Sequence, residues 1–231
     1  MSLACSGALA IEIEFVEADG FTFAIEDKQL IRDIATQTER DVRKVLPQLP
    51  QSLYLRTRNS KDVIAETGAS AQASPPGQIS WSVDASRTEG VSAIVRAHLR
   101  VTLFHEMHHL ARGAVTSVVR TDAPIVDRAI TEGMATAFAR DFAKAPPLPW
   151  AQYPAEVGTW VEEFIALPPN AHIGRWMFNH EDGRRWIGYR VGLYLVDQAI
   201  RGSGKTSAEL VGASSAQIIE LAGYRPVSDA P

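Results

Sequence analysis

Cysteine is nearly absent. The 231 residues contain one, Cys5, so no intrachain disulfide and no all-cysteine metal site can form. No apolar run reaches the ~20 residues that a membrane-spanning helix requires. Basic charge is not in excess: 23 Lys and Arg stand against 27 Asp and Glu, a formal net charge of −4. That removes the electrostatic case for nucleic acid or an acidic membrane surface as partner. Internal repeats and long low-complexity tracts are also missing. What is present is ordinary for a globule: 45% hydrophobic and 22% charged residues, which excludes a disordered, collagen-like or coiled-coil chain. A chain of this length buries roughly 70–75% of its unfolded surface and needs no covalent staple.

The first ten residues are apolar but short and lack a basic flank, so they do not read as an intact secretion signal. Ala4-Cys5-Ser6-Gly7 resembles the start of a mature bacterial lipoprotein. No flexible tether separates Cys5 from the first strand signal, so the expected location is the cytoplasm. The alternative is an exported or lipid-anchored chain, held through Cys5 if the native N-terminus was truncated.

Alternation of apolar and acidic residues over 11–16 predicts a half-buried strand. Asp19-Gly20 then marks a turn, and 21–25 reads as the second arm of a hairpin. Residues 27–46 have an amphipathic helical period with Leu30, Ile31, Ile34, Val42, Val45 and Leu46 inward, ending before Pro47. A strand is expected at 52–57, a loop at 70–77 and a strand at 78–83, with Ile79, Trp81 and Val83 on one face. The remainder reads as helical: 89–112 stopped by Gly113, then 124–144, 155–166, 184–200 and 207–222. The proline-rich stretch at 145–154 reads as a loop within one unit. Strands first and helices afterwards predict an α+β arrangement. The expectation is a single catalytic domain, 1–231, with a sheet and site helix in 1–113 and a helical subdomain in 114–231.

The chemistry-bearing segment is His105-Glu106-Met107-His108-His109. Residues four apart share a helical face, so His105 and His109 can aim two imidazoles at one metal ion. Glu106 stands beside that face as a general base. Two histidines, a third protein ligand and an open position make the hydrolytic zinc arrangement. His108 lies about 100° round the helix and is expected at the surface or behind the ligands. His98 lies roughly 10 Å upstream, too far to share the ion. A metzincin pattern would need Gly and His where Arg112 and Val115 stand, so that class is rejected. Carboxylates on a following helix remain: Asp122, Asp127, Glu132 and Asp141. Glu132 is the choice, because its helix is apolar nearly all round and its neighbours Ala129, Ala135, Thr136 and Ala139 are small. A carboxylate buried there needs a cation or an ion-pair partner such as Arg128 or Arg140. Asp122, next to Pro124, reads as a helix cap.

His105-Glu106-x-x-His109 followed by Glu132-Gly133-x-Ala135 resembles the gluzincin metallopeptidases. With the later Gly188-Tyr189-Arg190-Val191-Gly192 it resembles, more narrowly, a bacterial family of predicted zinc-dependent proteases. The resemblance covers roughly residues 100–200. It implies a zincin-like fold and one Zn2+ per chain held by His105, His109 and Glu132. Glu106 would be the general base, and the strand at 78–83 an edge to which a peptide adds. In thermolysin-like members an aspartate four residues after the ligand glutamate orients a metal histidine, but here Thr136 stands at that position. An oxyanion donor is also needed, and Tyr189, His180 and Arg190 are the candidates, with Tyr189 preferred. Trp81, Phe178 and Trp186 either line a substrate pocket or pack the core.

The expected function is zinc-dependent hydrolysis of a peptide or protein substrate, with no nucleic acid and no transmembrane segment involved. The alternatives are a non-catalytic zincin-like protein that binds a peptide or partner, a metal hydrolase of a non-peptide substrate, and a metal-free helical interaction module.

Overall fold

The computed structural model describes residues 10–18, 20–116, 123–168 and 170–224. Cys5, Asp19 and Asp122 fall outside them, and with them the lipoprotein-like start, the proposed turn and the proposed cap. The chain divides into two compact units, Met1–Ala114 and Val115–Pro231. The architecture is α+β: a four-stranded sheet is followed by helices.

In the first unit, β1 (Glu12–Val16) leads to the long helix α1 (Ile25–Val45), then to β2 (Tyr54–Asn59), β3 (Ala69–Ser74) and β4 (Gln78–Val83). The sheet order is β1-β2-β4-β3. β1 pairs in parallel with β2 and β2 with β4, while β3 runs antiparallel to β4. Alternation sets the buried face: Leu55 and Thr57 on β2 stand opposite Ile79 and Trp81 on β4, and all four are buried. α1 buries Ile31, Ala35, Thr38 and Val42 at helical spacing.

Glu39 on the same helix is a buried carboxylate. It accepts the Ile11 backbone N–H at 2.7 Å and two guanidinium bonds from Arg43 at 2.9 and 2.8 Å. Arg43 also donates to the carbonyls of Leu49, Pro50 and Gln51. This clamp ties the start of β1 and the approach to β2 to a single helix turn. Without such partners a buried carboxylate would cost several kcal/mol.

Four expectations are corrected. Residues 21–24 are not a strand and β1 is not half of a hairpin. Phe23 is instead buried and packs edge-to-face on Phe15 and Phe21, so the apolar alternation fills a core position rather than a ladder. The expected loop at 70–77 is largely strand β3. Its Ala71 and Ala73 lie opposite Trp81 and Ile79, small beside large, so pairing overrides the weak strand propensity of Ala and Ser. β4 is therefore not an edge: it lies between β2 and β3, and β3 takes the edge. Gly113 does not stop its helix, which continues to Thr116.

That helical run starts with α2 (Val91–Ile94), passes through one π-helical segment (Val95–Leu99) and continues as α3 (Arg100–Thr116). The π segment carries His98, and it rotates the upstream residues off the 100°-per-residue count used to place that side chain.

The second unit holds α4 (Ile125–Phe142), α5 (Val157–Ile165), α6 (Ile173–Met177), α7 (Ile187–Ser203) and α8 (Ser215–Leu221). The short helix α6 was not anticipated. The last helix is shorter than expected because Ser214 and Gln217 form a reciprocal capping box that starts it late. α4 and α7 meet backbone to backbone. A Cβ on Gly192 would overlap the Ala129 carbonyl oxygen, and one on Gly133 would overlap the Gly192 carbonyl carbon. Around this crossing pack Ile130, Met134, Phe164, Val191, Leu195 and Ile218, all buried. Among the described residues no helix is long and apolar enough to cross a membrane.

Because the obstruction at Gly192 is backbone and not a mobile side chain, Gly192→Ala should cost about 3 kcal/mol or more. Urea unfolding read by far-UV circular dichroism checks this, with Gly158→Ala, where a Cβ meets open space, as the near-neutral control.

Candidate metal centre

α3 is buried on almost every side. Leu103, Phe104, Met107, Leu110 and Ala111 are inside, and so are His105, Glu106, His108 and Arg112. A helix apolar all round is a core helix. Polar side chains set into one must be matched, because each buried polar group costs free energy unless it is bonded. His105 is 4% and Glu106 7% exposed, and His109 is half-buried.

The one-turn spacing has the predicted effect. The Nε2 atoms of His105 and His109 stand 3.1 Å apart, and the two rings meet nearly edge to face with centroids 4.7 Å apart. Two imidazole nitrogens each about 2.0–2.1 Å from a tetrahedral zinc would be separated by roughly 3.3 Å. The pair thus has the spacing of two ligands on one ion. Glu106, the next residue round the helix from His105, supplies a carboxylate from the same buried turn.

His108 is fully buried, which corrects the surface option considered for it. His98 is partly buried, and burial together with the Arg87 charge pushes its pKa down, so it favours the neutral ring.

In the second unit, Glu132 lies on α4 next to Gly133. It is half-buried, less deep than the apolar surroundings suggested. Thr136, one turn on, is fully buried with its hydroxyl unpartnered. Arg140, weighed as an ion-pair partner for Glu132, forms a two-bond pair with Asp197 at 2.9 Å and touches Asp141. His105, His109 and Glu132 form a group that could hold a metal ion, one ligand atom from each. The donor set, two imidazoles and a carboxylate, suits zinc.

Tyr189 belongs to an aromatic cluster. Its ring centroid is 5.2 Å from Trp150, 5.5 Å from Trp186 and 5.9 Å from Phe178. Trp186 caps α7 in the left-handed region at φ 59°, a conformation that costs a bulky residue of order 1–3 kcal/mol and gathers at functional sites. Trp81, by contrast, is wholly buried in the first unit and serves the core.

His180 sits in the loop before α7. Its Nδ1 faces Asp182 at 2.8 Å, and its Nε2 accepts from Arg175 at 3.1 Å. Arg184, in the same loop, bridges Asp182 and Glu163 of α5. The backbone N–H of Arg184, with help from the His180 and Arg184 side chains, holds the Asp182 carboxyl down at about 2.

Residues 28–220 match a protein family described as "Predicted Zn-dependent protease (DUF2268)". No curated protein matches the sequence.

A carboxyl with a depressed folded-state pKa adds stability above its unfolded value near 4 and loses it as the pH falls toward 2. The wild type should therefore lose more stability between pH 5 and pH 3 than Asp182→Asn, a difference measurable by urea unfolding at each pH.

Proposed function

The chain belongs to the family of predicted zinc-dependent proteases, and from that premise we propose that it is a zinc metallopeptidase of zincin-like fold that cleaves peptide bonds. The observation that carries this reading is the His105–His109 pair, with Nε2 atoms 3.1 Å apart on a buried helix turn that also carries Glu106. His105, His109 and Glu132 would hold one zinc ion per chain. When bound, zinc supplies Lewis acidity, which acidifies a water molecule and polarises a carbonyl.

The chain's own groups do the rest. Glu106 accepts the proton of the attacking water on a carboxylate oxygen and returns it to the leaving amine. The Tyr189 hydroxyl donates to the oxygen on which negative charge develops. Burial of His105 and Glu106 excludes bulk water and strengthens each of these electrostatic interactions. Thr136 stands at the position where thermolysin-like enzymes carry the aspartate that orients a metal histidine, and its buried hydroxyl makes no hydrogen bond, so it does not perform that role. The edge strand β3, which carries neither charge nor proline, gives an extended peptide a ladder to join, and this favours a peptide over a small-molecule substrate.

Two measurements test the reading. Elemental analysis of protein purified without chelator should find one zinc per chain in the wild type and a small fraction of that in Glu132→Ala. Zinc retained in that variant would move the third ligand elsewhere, and none in the wild type after reconstitution would remove the metallopeptidase. Glu106→Gln should keep its zinc yet lose about 10²–10⁴-fold in kcat, scored by cleavage of a mixed peptide library followed by mass spectrometry.

A further inference from the structure

The edge of β3 has a fixed reading frame. In a strand the N–H and C=O of one residue point to the same side, and successive residues alternate. Two hydrogen bonds set the alternation here. The Gly68 carbonyl accepts the Asp84 N–H at 3.0 Å, on the side of β4, and the Ala69 carbonyl accepts the Ile64 N–H at 3.2 Å, on the other side. Ser70, Gln72 and Ser74 therefore turn their backbone groups toward β4, while Ala71 and Ala73 turn theirs outward. Ile64 is the bridge partner of Ala69, and among the described residues no strand lies beyond Ala71 and Ala73. Two donors and two acceptors are left for a chain that joins the sheet.

The same two residues determine which side chains suit that chain. Side chains in register across a sheet share a face. The row through Ala71 runs on to Trp81 and Thr57, and the row through Ala73 to Ile79 and Leu55. Those four neighbours are buried, whereas both alanines keep exposed surface. Each row thus steps down from a large side chain on β4 to a single methyl group at the edge. A large apolar side chain on the next strand fills that step. On the opposite face the edge offers Ser70, Gln72 and Ser74, which are polar and uncharged.

One contact inside the first unit places this edge relative to the metal centre. Pro75 directly follows β3, and a Cβ on Gly113 would stand 3.5 Å from its side chain. Gly113 lies four residues past His109 on α3, one turn further along the same helical face. From Ala73 to Pro75 is roughly 7 Å of strand, and from Gly113 back to His109 is about 6 Å of helix. The edge therefore ends within about five residues of extended chain from a metal held at His109.

We propose that a peptide laid along β3 is selected by its alternate side chains: two large apolar residues, two positions apart, seat beside Ala71 and Ala73, with a polar residue between them. The bond that is cut then lies within about five residues of this pair. The substrate framing rests on the peptidase reading above, while the recognition itself rests on the edge.

The test is equilibrium binding by fluorescence anisotropy to full-length Glu106→Gln protein, in which the peptide stays intact, as purified and again after chelation. The probes are fluorescein-labelled hexapeptides with a tail of two lysines. One alternates leucine and serine, the second has the same composition with its three leucines together, and the third alternates alanine and serine. The alternating leucine peptide should bind at least about tenfold more tightly than either of the others, less than the full burial of one leucine over alanine. That preference should survive chelation. It should be lost in Ala73→Leu and in Ala71→Leu, where the step is filled, and kept in Gln72→Leu on the opposite face. Thermal unfolding at the wild-type temperature excludes a folding defect in each variant. Equal binding of the three probes, an unchanged preference in both filled variants, or binding that survives methylation of all the peptide amides overturns the proposal. The preference without cleavage by the zinc-loaded wild type keeps the edge site and discards the peptidase reading, and cleavage without the preference does the reverse.

Discussion

The second unit depends on one steric constraint: α4 and α7 cross so closely that neither can carry a Cβ at the contact. Gly133 lies against the Gly192 carbonyl, and Gly192 lies against the Ala129 carbonyl. Backbone contact leaves no slack, because nothing at the interface can change rotamer. It fixes the rotation and the height of each helix relative to the other. Two chemically distinctive side chains, those of Glu132 and Tyr189, are anchored within three residues of this contact. Their precision comes from rigid helices, the kind of support that holds a reactive constellation in place better than a loop can.

The first unit solves a different problem. A parallel pair such as β1 and β2 requires a long crossover, here α1. The crossover must also be told where each strand begins. Glu39 and Arg43 do this with charge-assisted bonds to the Ile11 amide and to three carbonyls ahead of β2. The sheet that results delivers the chain from β4 into the helix that carries His105 and His109. The buried charge of Glu39 is thus matched by its own neighbours.

Much of this was legible in the residues. Period-two alternation located β1 and β4 closely, and the helical period located α1. The i, i+4 spacing foretold that two imidazoles would face one another. Small residues beside Glu132, and the glycines four apart around Tyr189, pointed to close helix packing, and α4 and α7 supply it. What stayed hidden was non-local. Ala69–Ser74 is weak as a strand by composition and becomes one only because Trp81 and Ile79 stand opposite. Phe21 and Phe23 mimic a strand because one face of a pleat and an alternating plug look alike in one dimension. No local pattern marks Glu39, since it accepts from the Ile11 amide 28 residues back as well as from Arg43 one turn ahead. That the buried Arg190 Nε meets no partner among the described residues is equally non-local.

The π-helical segment Val95–Leu99 bears on how this chain is compared with others. A π turn holds one residue more than an α turn while advancing the helix little further. A relative with an unbroken helix from α2 into α3 would be one residue shorter here, with every position after it still in step. Aligned without a gap, the two sequences would set Val91–Ile94 about 100° out of phase, so their buried and exposed residues would look exchanged. A single-residue gap placed within 95–99 restores the agreement, and such a gap marks an insertion absorbed by the helix in place of a loop.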